Sequence, residues 1–363
     1  MKLKTQKTSL LIGIQTVQNI ITSKATLPIL SNILLETLKD QLRLTGTDLD
    51  IGISCVIPVE ILEPGAITIS AKRFSDIIKE LPSDDLTIST KKNNLVTIET
   101  GNCQFKIMGL AHEEFPTLPV FKDAAVVKID QKCLKEMLVL TSFAVSYDET
   151  RYVLSGILFQ LQKNILTLVA TDGKRLAIIE RKLKQNTDKE ISIIVPLKTI
   201  HELTRNLKED GELSLILGSN QVLFDLGGAI IISRLIDGEF PSFKQVVPPV
   251  SENKVNINRE QFLLAVRRAA LLSTPDYQAV KLEVFKNKLV VSKSTPDVGE
   301  SREEVEIGYQ GKELVIGFNP NYLIDVLKNL HNETVELELT DSEKPGVIRV
   351  DDYVYVVLPM RLG

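Results

Sequence analysis

Basic side chains recur along six amphipathic segments of this 363-residue chain, and phosphate binding is the chemistry that they offer. The basic residues on or beside these segments are Lys24, Lys72, Arg73, Lys79, Lys132, Lys135, Lys198, Arg205, Lys208, Arg259, Arg267, Arg268 and Lys328. The acidic ones are Asp76, Glu80, Asp130, Glu136, Glu202, Glu260 and Asp325. The segments carry +6 (13 − 7), whereas the whole chain carries −4. This concentration is typical of a phosphate-binding face, although solvated helix faces with mixed charges would give the same counts.

Catalytic side chains do not form a recognisable constellation in the sequence. The motifs of serine hydrolases, phosphate-binding loops, zinc proteases and dinucleotide-binding folds are absent from it. His112, His201 and His331 are far apart along the chain and belong to no Cys or carboxylate cluster. The Thr-Asp pairs at Thr47 and Thr171 suit turns, because Asp side chains hydrogen-bond the nearby backbone. We therefore expect a non-catalytic protein with no metal site and no cofactor.

The cysteines and the amino terminus indicate a reducing compartment. Cys55, Cys103 and Cys133 are odd in number and widely spaced, which argues against a disulfide framework or a zinc site. The first residues lead into periodic sequence without a signal-peptide core, and no apolar stretch reaches membrane-spanning length. We expect a cytoplasmic protein that makes no membrane contact.

A repeat of about 124 residues organises the chain. The turn markers Thr47-Asp48, Thr171-Asp172 and Thr295-Pro296-Asp297 follow in steps of 124 (171 − 47 and 295 − 171). A repeat of this length indicates copies of a whole domain, since solenoid units are much shorter. The tripeptide Glu-Phe-Pro precedes proline-containing connectors twice, at Glu114 and at Glu239. We predict three domains, at residues 1–124, 125–250 and 251–363.

Each copy is expected to combine two helices with antiparallel strands, which makes an α+β fold. Apolar periodicity near 3.6 residues predicts helices at residues 9–22, 71–81, 131–145, 196–207, 259–272 and 319–330. Ser70 and Asn319 suit N-cap positions, and Pro320 suits a first helical turn. Asp172-Gly173 between alternating apolar runs predicts a β-hairpin of residues 165–170 and 175–180.

Seven stretches give the chain a family resemblance. They begin at Thr26, Glu114, Arg151, Ala170, Arg234, Gly317 and Val356. The fourth reads Ala-Thr-Asp-Gly-Lys-Arg-Leu, and the last reads Val-Val-Leu-Pro-Met-Arg-Leu. In this order and spacing, and on a threefold repeat, they resemble the bacterial DNA polymerase III beta subunit, the replicative sliding clamp, over the whole length. The resemblance implies three similar clamp domains that form half of a closed ring, with helices lining the hole and sheets outside.

Helix packing geometry agrees with a ring of two chains. Neighbouring helix axes lie about 8–10 Å apart. A closed circle of six helices would therefore leave no room for a DNA duplex, whereas twelve would leave a hole of about 20–28 Å. Two chains joined head to tail as a homodimer supply the twelve.

The resemblance also implies what the ring does. It would encircle double-stranded DNA without reading its sequence, since contacts to phosphates carry no sequence information. It would confer processivity by tethering the replicative polymerase and other proteins that carry a clamp-binding motif, and a clamp loader would place it on DNA. The side chains expected to contact DNA are Lys24, Arg73, Lys79, Lys132, Lys198, Arg205, Arg267 and Arg268.

Two further sites are implied by the resemblance. A partner-peptide pocket would gather Leu154, Thr171, Gly173, Lys174, Arg175, Leu176, Pro241, Val246, Pro345, Val357, Pro359, Met360, Arg361 and Leu362. A dimer interface would pair residues of the first domain with residues of the partner's third domain, namely Lys72, Arg73, Phe105 and Ile107 with Leu271, Leu272, Glu300, Glu303 and Glu304. An apolar centre surrounded by opposite charges suits a head-to-tail interface.

Other interpretations remain open for the same residues. Val356, Val357 and Leu358 also suit an ordinary edge strand, and residues 300–304 also suit a polar loop. A three-domain interaction scaffold that never encircles DNA would show the same repeat. A hydrolase would require a constellation of residues that the sequence does not supply.

Overall fold

The computed structural model describes residues 1–22, 27–119, 121, 126–184 and 190–362. The chain divides into two compact units, Met1–Lys132 with His201–Leu235 and Cys133–Ile200 with Ile236–Gly363. Across the described ranges, no helix is both long enough and apolar enough to cross a membrane.

Strands and helices follow one another in the same order three times along the chain, except that the first third has one additional strand, β5. The first third contains β1 (Lys2–Gln6), α1 (Lys7–Gln18), β2 (Asn32–Thr37), β3 (Gln41–Thr47), β4 (Ile51–Pro58), β5 (Glu60–Glu63), β6 (Ala66–Ser70), α2 (Ala71–Glu80), β7 (Asp85–Thr90), β8 (Leu95–Thr100) and β9 (Cys103–Met108). The second contains β10 (Val126–Asp130), α3 (Gln131–Ser142), β11 (Gly156–Gln162), β12 (Ile165–Thr171), β13 (Arg175–Lys182), β14 (Ile191–Pro196), α4 (Leu197–Asn206), β15 (Glu212–Leu217), β16 (Gln221–Asp225) and β17 (Ala229–Arg234). The third contains β18 (Lys254–Asn258), α5 (Arg259–Ala270), β19 (Val280–Phe285), β20 (Lys288–Thr295), β21 (Gly299–Gly308), β22 (Leu314–Phe318), α6 (Pro320–Asn329), β23 (Thr334–Glu338), β24 (Gly346–Val350) and β25 (Tyr353–Val357).

All six predicted helices are present, and their ends differ from the predictions. The start of α6 is confirmed, because the Asn319 side chain accepts a hydrogen bond from the Asn321 N–H at 3.0 Å and Pro320 is the first helical residue. Ser70 precedes α2 as predicted, but its side chain makes no capping hydrogen bond. Helix α3 ends at Ser142, before its predicted end, because apolar periodicity locates a helix better than it locates the helix terminus.

The first unit contains two antiparallel sheets. One has the strand order β5-β1-β7-β8-β9, and the other has the order β10-β15-β16-β17-β4-β3-β2-β6. Helix α1 packs against α2 and against β4 of the larger sheet. It buries Leu10, Ile14 and Val17, which are three and four residues apart and therefore lie on one helix face.

The second unit contains one continuous antiparallel sheet, in the order β14-β11-β12-β13-β25-β24-β23-β18-β21-β20-β19-β22. Helix α5 packs against α6 and against β20 and β21. Its buried face includes Phe262, Val266 and Ala269, again at helical spacing.

The sequence repeat reappears in the pairing of strands. In the first unit β4 joins β17, with Gly52 opposite Ile232. In the second unit β13 joins β25, with Leu176 opposite Val356. Both positions advance by 124 (176 − 52 and 356 − 232), so these two joints have the same register, and eight strands of the two sheets follow in corresponding order.

Candidate functional site

The turn between β12 and β13 is built by its own side chains. Asp172 Oδ1 accepts hydrogen bonds from the N–H groups of Lys174 and Arg175, at 2.8 and 3.0 Å. Thr171 Oγ1 donates to the Arg175 carbonyl and accepts from the Gly173 N–H. Gly173 has φ +86°, and a Cβ there would lie 2.7 Å from Arg151 Nη1, so only glycine fits without strain. The predicted hairpin is confirmed.

Arg175 anchors this turn inside the second unit. Its Nε donates to Asp172 Oδ2 at 3.0 Å and its Nη2 to the Phe143 carbonyl at 2.6 Å. Its Nη1 donates to Asp325 Oδ2 of α6 at 2.5 Å, and the guanidinium lies over the Tyr322 ring, 4.5 Å from the centroid. Burial disfavours the charged form, but the hydrogen bond to Asp325 and the nearby negative groups raise the pKa of Arg175 above its ordinary value.

A cavity of about 230 Å³ opens beside the turn, and we call it the β12–β13 pocket. It is lined by Leu154, Thr171, Gly173, Lys174, Arg175, Leu176, Pro241, Ser242, Phe243, Val246, Val356 and Leu358. Leu176 and Val356 belong to a buried apolar cluster against which Phe243 packs. The pocket therefore has an apolar floor, with the exposed Lys174 at its rim.

The structure brings together eight of the predicted pocket residues and separates the rest. Leu154, Thr171, Gly173, Lys174, Arg175, Leu176, Pro241 and Val246 line the β12–β13 pocket. Pro345 and Pro359 are half-buried and lie outside its lining. Met360, Arg361 and Leu362 line a different cavity of about 750 Å³, and the Met360 N–H donates to the Gly317 carbonyl at 2.8 Å.

Val357 does not line the pocket, because successive side chains of a strand point to opposite faces. It is completely buried, whereas its neighbours Val356 and Leu358 line the pocket. Sequence reasoning missed these two residues, together with Ser242 and Phe243. The period of two along Val356 to Leu358 was the signal that could have identified the correct face.

The residues expected to contact DNA lie mainly at exposed positions. Arg73, Lys79, Lys132, Lys198, Arg205, Arg267 and Arg268 are all exposed. Arg205 Nη1 lies 2.6 Å from Glu202 Oε1, and Arg268 forms a two-pronged pair with Glu303. That pair lowers the pKa of the Glu303 carboxyl and raises that of Arg268. Lys24 lies outside the described residues.

The residues expected at the dimer interface lie on strands β9 and β21, on helix α2 and directly after helix α5. Phe105 and Ile107 are half-buried on β9, and Lys72 and Arg73 are exposed on α2. Leu271 follows α5 with 81% of its surface exposed, and Leu272 is half-buried. Glu303 pairs with Arg268 as described, Glu304 pairs with Lys288 and Arg302, and Glu300 accepts from Ser294. No group of three or more potential metal ligands occurs among the described residues.

Models of one protein family match almost the whole chain. Models of the DNA polymerase III beta subunit match it with the N-terminal domain at residues 1–119, the central domain at 128–242 and the C-terminal domain at 244–361. The chain belongs to the bacterial DNA polymerase III beta subunit family. It is thus a member of the sliding clamps, and the predicted α+β clamp fold is confirmed.

Individual sliding clamps match this chain over 98% or more of both lengths. The beta sliding clamp of Pseudomonas aeruginosa is 35% identical over 362 residues, which are 98% of this chain and 99% of that one. The Escherichia coli clamp is 34% identical over 369 residues, with both chains covered completely. Solved clamps of Bacillus subtilis and of P. aeruginosa, the latter bound to griselimycin, each superpose with a TM-score of 0.95 at 31% and 35% identity, with full coverage of both chains.

Proposed function

We propose that this clamp closes into a head-to-tail homodimeric ring around duplex DNA and tethers its partners through the β12–β13 pocket. The proposal includes the division into three domains at residues 1–124, 125–250 and 251–363, action in the bacterial cytoplasm, and the absence of any catalytic step. The observation that carries it concerns two strands, β9 and β21: over most of their length, one edge of each has no strand partner within the described residues, whereas the corresponding strands elsewhere in the chain are paired.

Strands from successive repeats pair with each other at two places within the chain. Strand β4 pairs with β17, and strand β13 pairs with β25. By the repeat, β21 corresponds to β4 and β13, and β9 corresponds to β17 and β25. In the described part of the chain, β9 is the outer strand of its sheet, and β21 pairs with β18 only through Gly308 and Ile307. The remainder of β21 therefore offers an edge that matches β9 of a second copy.

Side chains near these two edges support the pairing. Phe105 and Ile107 alternate along β9 on one face, and the strongly exposed Leu271 follows the helix that packs against β21. An exposed edge strand with apolar residues is a liability for a monomer and is normally covered. A second copy would cover both edges at once, since two head-to-tail contacts close a ring of two.

The exposed basic residues of the helices support DNA binding by encirclement. Arg73, Lys79, Lys132, Lys198 and Arg267 carry positive charge on four different helices and in all three thirds of the chain. Contacts of this kind bind phosphates without reading bases, which permits sliding. Stable retention on DNA would then come from topology, because such contacts alone weaken steeply with salt.

The β12–β13 pocket supports tethering of partner proteins. It combines an apolar floor at Leu176 and Val356 with a rim that carries Lys174, and this combination suits short peptides rich in Leu or Phe. We propose that the replicative polymerase, the clamp loader and other proteins with a clamp-binding motif dock here. The griselimycin-bound clamp of P. aeruginosa is consistent with ligand binding in this family.

A loading assay on circular DNA tests the proposal. The clamp is loaded by a clamp loader onto a nicked circle, separated from free protein in high salt, and followed after cleavage of the circle with a restriction enzyme. We expect retention on the circle and loss after linearisation, and bulky protein blocks at both ends should restore retention. Equal retention on circles and on unblocked linear DNA would contradict encirclement.

A further inference from the structure

The turn between β3 and β4 reproduces the β12–β13 turn bond for bond, 124 residues earlier. Thr47 Oγ1 donates to the Ile51 carbonyl at 2.9 Å and accepts from the Leu49 N–H at 3.0 Å. Asp48 Oδ1 accepts from the N–H groups of Asp50 and Ile51, at 3.0 and 2.8 Å. Leu49, at the position of Gly173, also has positive φ, +79°. The chain maintains this turn at both places.

The neighbouring strand meets both turns in the same way. The Arg234 N–H donates to the Asp50 carbonyl at 2.9 Å, as the Leu358 N–H donates to the Lys174 carbonyl at 2.9 Å. Because register and hydrogen bonds agree, the backbone that frames the β12–β13 pocket has a counterpart in the first unit. The turn and the strand beside it thus have the same backbone arrangement at both places.

A cavity of about 360 Å³ lies at this counterpart, and we call it the β3–β4 pocket. Pro116 lines it after Glu-Phe, as Pro241 lines the β12–β13 pocket after Glu-Phe. Ile232 takes the place of Val356 as the apolar floor. Leu118 covers Gly52 so closely that a Cβ on Gly52 would lie 2.3 Å from Leu118 Cδ2. Leu118 thus fills the space that a side chain at position 52 would need.

The chemistry at the rim differs between the two pockets. Arg234 stands where Leu358 stands, and Asp50 stands where Lys174 stands. The Arg234 and Asp50 side chains are 60% and 72% exposed, and their closest N–O distance is 3.6 Å. Such a loose surface pair contributes little, so the guanidinium can exchange Asp50 for a better placed carboxylate with two parallel hydrogen bonds.

We infer that the β3–β4 pocket is a second peptide-docking site, which takes an extended peptide that carries a carboxylate beside an aliphatic side chain. The aliphatic side chain lies against Ile232 and Leu118, and the carboxylate binds Arg234. The peptide class rests on the proposed role of the β12–β13 pocket, whereas binding at the β3–β4 pocket is a separate event that is measured independently. It gives one chain two docking sites with the same backbone frame and different side-chain preferences.

The experiment uses a chain whose β12–β13 pocket is blocked by Val246→Glu at an exposed lining position. The probe is the acetylated pentapeptide Ala-Leu-Asp-Leu-Ala, and its matched control carries Asn in place of Asp. With methyl-labelled Ile and Leu, we expect saturable shifts of the Ile232 and Leu118 methyl signals. The Asn peptide should bind about tenfold more weakly, since it cannot form the charge-assisted hydrogen bond.

Charge reversal completes the test. Arg234→Glu should lower the affinity for the Asp peptide at least about tenfold. Arg43→Glu, on β3 of the same sheet and also in a surface ion pair, should leave its affinity unchanged. Shifts at Ile232 that fail to saturate, or an affinity that is equal in the Arg234 and Arg43 variants, would overturn the inference. Binding by the unblocked chain at Leu176 alone supports the β12–β13 pocket and counts against the second site.

Discussion

Arg175 of β13 and Asp325 of α6, 150 residues apart in the chain, form an ion pair that ties the wall of the β12–β13 pocket to a helix. The Arg175 side chain is 8% exposed and that of Asp325 is 37% exposed. The arginine also closes the turn through Asp172 and the Phe143 carbonyl. The shape of the pocket therefore depends on a buried guanidinium whose three nitrogens all donate hydrogen bonds.

Removing this charge should destabilise the chain and weaken peptide binding together. We expect Arg175→Ala to lower the free energy of unfolding by about 3 kcal/mol, at the lower end of the range for a broken buried pair, because Asp325 can still reach water. Arg181→Ala on the same strand is the control, since its pair with Asp352 is more exposed. Arg181→Ala should lower the free energy of unfolding, measured by urea denaturation, by less than about 1 kcal/mol. Equal losses would show that Arg175 is no anchor.

The two exposed leucines at the carboxyl end should differ in their effect on partner binding. Leu358 lines the β12–β13 pocket and Leu362 lines the separate cavity, although their exposures are similar, 42% and 40%. Leu358→Asp should weaken a Leu- or Phe-rich partner peptide by about 10- to 100-fold, the value of one buried leucine. Leu362→Asp should leave the affinity nearly unchanged. Fluorescence anisotropy with a labelled peptide measures both, and the reverse ranking would contradict the lining that the structure gives.

Local signals in the sequence were sufficient for the turns and helices but not for the pocket lining. The Thr-Asp turn at Asp172 is encoded by side chains that bond their own backbone, so its residues alone predict it. Strand β1 was not predicted from the sequence. Lys2–Gln6 is short, Leu3 is its single apolar residue, and a helix follows it directly without a turn residue. The family resemblance placed Val357 in the pocket, although the alternation of side chains along the strand buries it on the other face.

Long-range pairs could not be predicted from the sequence at all. Arg268 and Glu303 were expected to serve DNA and the dimer interface respectively, yet they bind each other across 35 residues. Such a pair follows from the packing of α5 against β21, and no local pattern records that packing. The same holds for the buried pair of Arg175 with Asp325.

Adjacent arginines on α5 should contribute unequally to DNA binding. Arg267 and Arg268 are both exposed, but Glu303 already satisfies Arg268 with two hydrogen bonds. On short linear duplexes, Arg267→Ala should reduce the slope of log K against log salt by about 0.9 for each phosphate that the arginine neutralises. Arg268→Ala should change the slope less, because part of its charge is neutralised within the chain. A larger change for Arg268 would indicate that DNA displaces Glu303.

The edge strand β9 should control dimerisation. Ile107 is half-buried on the face that it shares with Phe105, whereas Met108 points to the other face and is 63% exposed. Ile107→Lys should weaken the dimer more than about a hundredfold, because a closed ring of two contains the substitution at both interfaces. Met108→Lys is the control on the same strand. Sedimentation velocity across a concentration series measures both, and a dimer of unchanged affinity in the Ile107 variant would exclude β9 from the interface.

The buried thiol of Cys55 should make stability fall in alkaline solution. Burial raises the pKa of Cys55 from its ordinary value of 9.0 to about 12, although a hydrogen bond with Thr16 acts in the opposite direction. Since the folded-state pKa is the higher one, this contribution is complete below pH 9 and is lost as the pH rises towards 12. Between pH 8 and 10.5 the loss should be about 2 kcal/mol.

Replacement of the cysteine isolates this contribution from the other groups that titrate in the same range. In urea denaturation, the free energy of unfolding of Cys55→Ala should fall less than that of the wild type between these two pH values. The difference should be about 2 kcal/mol. Cys103→Ala, at a half-exposed position on β9, should decline as the wild type does. Because only the unfolded Cys55 thiol ionises in this range, an identical decline in wild type and Cys55→Ala would mean that the folded thiol reaches water.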